Sequence, residues 1–191
     1  MIVQILEEPI FQLGLQEAIS IAFQVDRLLE VSTPDGGIGG ITLREHVVDP
    51  PYVKDYDAIK GEGPTRWLAR FDTTNWGLVA AYIDGNRVGG AVIVYDSAGV
   101  DLLGNRSDLA ALWDIRVNPA LRRAGVGRQL FWSVETWARE RHCTQLEVET
   151  QNVNVPACHF YRSMGCSIRS INRFAYPNFP MEVQLVWLKD L

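Results

Sequence analysis

The stretch from Leu112 to Arg141 constrains the fold most, because a strand pattern, a glycine-containing turn and an amphipathic helix pattern follow one another in it. Leu112–Val117 is apolar and predicts a strand. Gly125 to Arg141 predicts a helix with one apolar face. The apolar residues on that face are Val126, Leu130, Val134 and Trp137. The chain therefore contains a strand, a turn and a helix of a layered domain with both strands and helices.

The turn before this helix predicts an anion site. Glycine at a helix N-terminus exposes backbone N–H groups, which act with the helix dipole and suit a pyrophosphate. Charge-assisted donors flank the turn at Arg122, Arg123 and Arg128. The alternative is a loop in which Gly125 and Gly127 simply permit the chain to turn.

Two other phosphate-binding motifs are excluded. The chain has no G-x-x-x-x-G-K-[ST] sequence, so it has no P-loop of that kind. Leu130 stands where the dinucleotide fingerprint needs its third glycine. No helix pattern follows the glycines between Gly36 and Gly40, so we interpret that cluster as a flexible loop.

Further elements alternate along the second half of the chain. Gly77–Ile83 and Val88–Tyr95 predict a β-hairpin around the turn Asp84–Asn86. Later segments predict three strands and a short helix with proline in its first turn, at Gln145–Thr150, Ile168–Phe174, Glu182–Leu188 and Pro156–Met164. This alternation indicates an α/β or α+β fold with helices around a mixed sheet.

The first third of the chain is harder to interpret. Phe11–Val31 mixes helical and strand spacing, and Val48–Lys60, which contains Pro50 and Pro51, is predicted as a short helix or loop. With 191 residues we expect a single domain over 1–191, with its motif-bearing core at about 76–191.

Composition narrows the class of protein. No apolar run is long enough to span a membrane and no signal peptide begins the chain, so we expect a cytoplasmic protein without a membrane partner. The net charge is −5, and no basic patch indicates nucleic acid. An acidic surface attracts cations such as polyamines or basic antibiotics, although solubility alone also explains it.

The three cysteines have no C-x-x-C spacing and predict neither a disulfide framework nor a metal site.

Several motifs together resemble a known family. Strand Trp113–Val117 is followed by Arg122-x-x-Gly125-x-Gly127, and later by Asn154-x-x-Ala157-x-x-Phe160-Tyr161-x-x-x-Gly165. Their order and spacing resemble the GNAT superfamily of N-acetyltransferases across roughly the second half of the chain. Four passages are most similar to the streptothricin acetyltransferase subgroup, namely Pro51–Tyr56, Leu146–Gln151, Ala157–Tyr161 and Tyr176–Phe179.

The resemblance implies a mostly antiparallel central sheet in which strands Leu112–Val117 and Gln145–Thr150 splay apart around the pantetheine arm of acetyl-CoA, the cosubstrate. Backbone groups of Ile115, Arg116 and Val117 would pair with pantetheine. Asn154 would hydrogen-bond the cosubstrate, and Tyr161 would protonate the departing thiolate. The pyrophosphate would be held by backbone N–H groups of the turn residues Arg123, Ala124, Gly125, Val126, Gly127 and Arg128.

Direct transfer to an amine requires a neutral amine and a group that accepts its proton. Asp114, in an apolar strand, is a candidate for binding the amine or for acting as a base through water; the alternative is an ion pair with Arg116 on the same face. Relatives often carry Glu where this chain has Trp113, so the identity of the base stays open.

Other residues are candidates for the acceptor site. Glu147 and Glu149 share one strand face and either bind substrate or form an outward polar face. Aromatic residues that either line a pocket for a cationic group or belong to the core are Tyr52, Tyr56, Trp113, Tyr176 and Phe179.

The leading hypothesis is acetylation of a small cationic amine such as streptothricin. The alternatives are acetylation of a protein N-terminus or lysine, and a non-catalytic module that binds acetyl-CoA. The sequence leaves the existence of a homodimer open.

Overall fold

The computed structural model describes residues 2–191 as a chain of nine strands and four α-helices. In chain order these are β1 (Gln4–Glu8), α1 (Leu13–Glu17), β2 (Phe23–Ser32), β3 (Thr42–Lys54), α2 (Pro64–Arg70), β4 (Gly77–Ile83), β5 (Asn86–Tyr95), β6 (Leu109–Val117), α3 (Val126–Glu140), β7 (Gln145–Gln151), α4 (Val155–Ser163), β8 (Ser167–Asn172) and β9 (Gln184–Asp190). The predicted fold class, a mostly antiparallel sheet with flanking helices, is confirmed.

The contacts of the chain group into two compact units. The first unit comprises the residues up to Ile21, then Asp55–Val148 and Leu188–Leu191. The second unit comprises Ala22–Lys54 and Glu149–Trp187. The single domain predicted from the sequence stays a prediction.

The sheet of the first unit has the order β1-β4-β5-β6-β7. Its first three pairings are antiparallel, and β6 with β7 is parallel. The predicted hairpin is confirmed: β4 and β5 join at Asp84 and Gly85, whose φ angles of 50° and 77° fit a tight turn between twisted strands.

Helices cover both faces of this sheet. A Cβ added to Gly89 would lie 3.1 Å from Leu130 of α3, whereas one added to Gly90 would lie 2.2 Å from Oε1 of Gln16 in α1. Because consecutive strand residues face opposite sides, α1 and α3 pack on opposite faces of β5. The apolar face predicted for α3 is buried as expected, at Val126, Leu130, Val134 and Trp137.

The second unit contains a long antiparallel hairpin, β2–β3, together with β8, α4 and most of β9. The order of its remaining strands is β7-β9-β8. The prediction of a short helix or loop over Val48–Lys60 was wrong up to Lys54, because β3 runs to that residue through Pro50 and Pro51, whereas residues 55–60 form a loop as predicted. Proline lacks an N–H donor and is tolerated where a strand lacks a partner on one side, as β3 does in a two-stranded sheet.

No helix within residues 2–191 is long and apolar enough to cross a membrane. All three cysteines are buried, and none of them forms a disulfide within residues 2–191. Within the same residues, no group of three His, Cys, Asp or Glu side chains lies close enough together to hold a metal ion.

Candidate active site

Strand β6 has an edge that its neighbour β7 covers only in part. The parallel pairing with β7 runs from Leu109–Gln145 to Leu112–Val148. On its other side β6 pairs with β5 as far as Val117. Residues 115–117, predicted to bind pantetheine, therefore have backbone groups on the β7 side that an extended ligand can bind in the manner of an added strand.

A bulge interrupts β6 at its centre. Ile93 of β5 pairs with Leu112 and Val92 pairs with Asp114, so Trp113 has no opposite residue. The side chain of Trp113 lies among other aromatic rings of the first unit, with centroids 6.2 Å from Trp67 and 5.5 Å from Phe71. These contacts agree with the second of the two predictions for Trp113, a place in the core instead of in a substrate pocket.

The turn before α3 presents its backbone to the surface. Gly125 is the N-cap residue, with φ 89° and ψ −5°, and no side chain caps the helix. The first-turn N–H groups, from Val126 to Arg128, have no acceptor within an α-helix. A Cβ added to Gly125 would meet no atom within 4 Å. The N–H groups and the open space together fit a pyrophosphate group.

The three arginines of this turn differ in their surroundings. Arg122 donates from Nε to the carbonyl of Val117 at 3.2 Å and from Nη2 to that of Ser20 at 3.0 Å. Its guanidinium therefore holds the turn against β6 and the end of the α1 segment. All three arginines are exposed, but Arg122 is held by these two carbonyls, so Arg123 and Arg128 are the side chains better placed to reach a bound anion.

Asp114 lies in a buried polar network of the first unit. Its carboxylate accepts from Arg116 Nε at 2.9 Å and from Gln16 Nε2 at 2.6 Å. Burial raises the pKa of Asp114, and the nearby Arg116 charge opposes that rise. The sequence offered this ion pair as the alternative to a catalytic role, and it did not identify Gln16.

Arg116 connects this network to a second carboxylate. Its Nη2 donates to Asp57 Oδ1 at 2.9 Å, and its Nη1 donates to the carbonyl of Ile19 at 3.3 Å. The side chains of Arg116 and Asp57 are 1% and 23% exposed. No local pattern identifies Asp57 as a site residue, because its segment is predicted as a short helix or loop.

In the second unit, Asn154 is the N-cap residue of α4, and its Oδ1 accepts from the Ala157 N–H at 3.2 Å. Tyr161 lies two turns later in α4 and is 4% exposed. Its ring centroid lies 5.3 Å from that of Phe160. The cap accounts for Asn154 Oδ1 in this motif, so the predicted bond to the cosubstrate would fall to the amide nitrogen.

The structure joins two predicted acceptor residues of the second unit. The Tyr176 hydroxyl donates to Glu149 Oε1 at 2.5 Å, and Gln184 Nε2 donates to Glu149 Oε2 at 2.6 Å. Gln151 Nε2 in turn donates to the Tyr176 oxygen at 2.9 Å. Glu147, predicted alongside Glu149, belongs to the first unit and is 1% exposed.

A second polar cluster of this unit surrounds Lys54. Its ammonium forms an ion pair with Glu182 and lies 3.7 Å from the ring centroid of Phe179. Tyr52 is 43% exposed, and its pKa is raised by burial and by the charge of Glu182. The sequence predicted Tyr52 and Phe179 but missed Lys54 and Glu182, whose pairing spans 128 positions.

A family model and individual known proteins that resemble this chain are all acetyltransferases. The model of the acetyltransferase (GNAT) family matches residues 42–166. Streptothricin acetyltransferase of Streptomyces lavendulae is 31% identical over 160 residues, covering 84% of this chain and 79% of that protein. Streptothricin acetyltransferase A of Bacillus subtilis (strain 168) is 28% identical over 155 residues, covering 76% of this chain and 78% of that protein.

Among solved structures, the crystal structure of nourseothricin acetyltransferase resembles this chain with a TM-score of 0.76. The two are 28% identical, and the match covers 98% of each chain. The range that the family model matches includes β6, the turn before α3, and Tyr161 of α4.

Proposed function

Because this chain belongs to the acetyltransferase (GNAT) family, we propose that it acetylates a primary amine of a small polycationic molecule of the streptothricin class. The family resemblance inferred from the sequence is confirmed, and with it the enzyme class, an acetyl-CoA-dependent N-acetyltransferase. The streptothricin acetyltransferase of Streptomyces lavendulae, similar over most of both chains, is the observation that carries the choice of acceptor.

The residues of the first unit fit acetyl-CoA. The backbone groups of Ile115, Arg116 and Val117 on the β7 side of β6 suit the amides of a pantetheine arm. The uncapped turn from Arg123 to Arg128 suits its pyrophosphate. Bound acetyl-CoA supplies the thioester from which the acetyl group is transferred.

The transfer also requires that the attacking amine lose a proton and that the departing sulfur gain one. The attacking amine needs its lone pair, so it must be neutral when it reacts. We assign the hydroxyl of Tyr161 as the donor that protonates the departing sulfur. This assignment is supported by the place of Tyr161 in the family motif Asn154-x-x-Ala157-x-x-Phe160-Tyr161.

We assign Asp114 a positioning role instead of the role of base. Its side chain is 3% exposed and is bonded to Arg116 and Gln16, so water has little access to it. By holding Arg116, it fixes the last residues of β6, which present the backbone that binds pantetheine.

Charge supports a cationic acceptor. The net charge of −5 favours the approach of cations. Three buried cysteines without a disulfide among residues 2–191 fit a reducing compartment, so we keep the prediction that the reaction takes place in the cytoplasm.

The deciding experiment is an acceptor panel read by the release of free CoA thiol. Streptothricin, spermidine, an aminoglycoside and a set of peptides are assayed side by side, and we expect streptothricin to give the highest kcat/KM. If only peptides react, the chain is a protein acetyltransferase. If no amine reacts although acetyl-CoA binds, the chain is a non-catalytic binding module.

A thermal-shift series tests the cosubstrate separately. A ligand present at a hundredfold its dissociation constant stabilises the native state by about 2.7 kcal/mol. Acetyl-CoA and CoA should therefore raise Tm and NADH should not. An equal shift with NADH would contradict the assignment of the turn before α3.

A further inference from the structure

The carboxylates of the second unit differ in how their charges are balanced. Residues 22–54 and 149–187 contain seven of them, and five are exposed. Glu182 is buried and paired with Lys54. Glu149, the seventh, is half-buried on β7. Glu149 therefore differs from the other six carboxylates of this unit: it is not fully exposed to water, and it is not paired with a buried lysine as Glu182 is.

Neutral groups hold Glu149 in place. One oxygen accepts from the Tyr176 hydroxyl at 2.5 Å and the other from Gln184 Nε2 at 2.6 Å. Within residues 2–191, no Lys, Arg or His nitrogen lies within 4.0 Å of its oxygens. The carboxylate thus has an orientation fixed by neutral donors, and within residues 2–191 no basic side chain forms an ion pair with it.

The hydrogen-bond chain has a direction. Gln151 Nε2 donates to the Tyr176 oxygen at 2.9 Å, so the Tyr176 proton points to Glu149. The Tyr176 hydroxyl and the Gln184 amide therefore both direct a hydrogen at the Glu149 carboxylate. Fixed neutral donors around a partly buried carboxylate make it a preorganised partner for a cation.

Lys54 shows how this unit binds an ammonium of its own. Its nitrogen contacts Glu182 and the face of Phe179, a carboxylate and an aromatic ring together. Glu182 is thereby occupied. Glu149 and Tyr176 likewise bring a carboxylate and an aromatic side chain together, joined by the Tyr176 hydroxyl.

We infer that Glu149 binds a cationic group of the acceptor that is not the amine undergoing acetylation, with Tyr176 as its positioning residue. This inference rests on the proposed function. A carboxylate stabilises the charged form of a bound amine and raises its pKa, whereas the reacting amine must lose its proton. Glu149 is thus suited to hold a second ammonium or guanidinium while another amine reacts. The acceptor must then carry at least two basic groups.

The experiment compares acceptors that differ in the number of their charges. Glu149→Gln keeps the shape of the side chain and an acceptor for the Tyr176 hydroxyl but removes the charge. For spermidine and streptothricin we expect KM to rise about tenfold to a hundredfold with little change in kcat, since bonds to charged groups have energies of that order. For propylamine, which has one amine, we expect kcat/KM to change less than about threefold.

Two variants complete the test. Asp26→Asn removes the same charge from an exposed carboxylate of the same unit and should leave both acceptors unaffected. Tyr176→Phe should raise the KM of the polyamines by a smaller factor, because Glu149 loses one fixed donor. Unchanged acetyl-CoA KM and Tm in Glu149→Gln show that the site, not the fold, has changed.

Three outcomes would overturn the inference: equal losses for spermidine and propylamine, no loss for either, or the same loss in Asp26→Asn. Failure of the proposed function is a different result, in which the native protein acetylates no amine. Calorimetric binding of streptothricin to the native protein and to Glu149→Gln then still decides whether Glu149 binds a cation.

Discussion

Arg116 and Asp114 form an ion pair within one strand, with Arg116 Nε 2.9 Å from Asp114 Oδ2 and the side chains 1% and 3% exposed. The two residues are two positions apart and therefore lie on the same face of β6. Desolvation of both charges opposes folding, so the pair persists because each charge compensates the other. Removal of Arg116 leaves Asp114 buried without a cation, whereas removal of Asp114 leaves Arg116 with Asp57 as its remaining carboxylate.

The first prediction compares two variants of this network. Arg116→Met should lower the free energy of unfolding by about 3–5 kcal/mol, because Asp114 stays buried without its cation. Asp57→Asn should cost less, since Asp57 is 23% exposed and Arg116 keeps Asp114 as a partner. Urea unfolding monitored by tryptophan fluorescence measures both. Equal losses would show that the pair with Asp114 is not the dominant contact.

The second prediction concerns pH. Burial raises the pKa of Asp114, and Arg116 opposes the rise. In Arg116→Met the pKa should rise further, so the native state binds a proton that the unfolded state lacks. Stability then falls as pH rises through that raised pKa and returns on acidification.

The measured quantity is the stability difference between the native protein and Arg116→Met. It should shrink as pH falls from neutral towards the ordinary Asp pKa of about 4. The double variant Asp114→Asn/Arg116→Met should not show this pH dependence. A difference that is constant with pH would exclude Asp114 as the titrating group.

The sequence predicted the elements that carry local signals. The β4–β5 hairpin followed from Asp84–Asn86, and α3 followed from the period of its apolar residues, each within a few positions. The β2–β3 hairpin was missed because Pro50 and Pro51 contradict ordinary strand composition. In β3 they occupy one of only two paired strands, a context that a local pattern does not contain.

The residues of the candidate site also fall into those with a local sequence signal and those without one. The turn before α3 and Tyr161 lie in motifs of fixed spacing, which a sequence displays directly. The partners of Asp114 do not: Gln16 is 98 positions away, and Asp57 is 59 positions from Arg116. The bulge at Trp113 shifts the strand register, which an alternation pattern cannot reveal.

The third prediction tests the turn before α3. Gly125 has φ 89°, so a non-glycine residue there costs about 1–2 kcal/mol in backbone strain. Gly125→Glu should abolish acetyl-CoA binding, because a carboxylate then occupies the anion site. Gly99→Glu is the matched control, since Gly99 has φ 78° and similarly open surroundings away from the turn. Calorimetry should detect acetyl-CoA binding to the control only.

The fourth prediction concerns the cysteines. Burial raises the pKa of Cys158 to about 11, and all three thiols are buried. Near pH 8 about one Cys158 thiol in a thousand is ionised, so alkylation should be slow. Iodoacetamide should leave the native enzyme active and should modify all three cysteines after unfolding in urea, as mass spectrometry would show. Rapid inactivation of the native enzyme would point to a cysteine in the transfer.

The last prediction concerns the proton donor. Tyr161→Phe removes only the hydroxyl and keeps the ring that packs 5.3 Å from Phe160, so the fold should persist. Loss of a general acid typically lowers the rate about a hundredfold or more, and the loss should appear in kcat while the dissociation constant of acetyl-CoA stays nearly unchanged. Single-turnover measurements isolate the chemical step from product release.

Tyr95→Phe, at the end of β5, is the matched control and should leave kcat unchanged. If Tyr161→Phe also retains the native single-turnover rate, water or another side chain protonates the sulfur. If it instead weakens acetyl-CoA binding with kcat intact, the hydroxyl contributes to binding and not to proton transfer. The predicted pattern, a large loss in kcat with binding preserved, requires a hydroxyl whose contribution arises only as the thiolate departs.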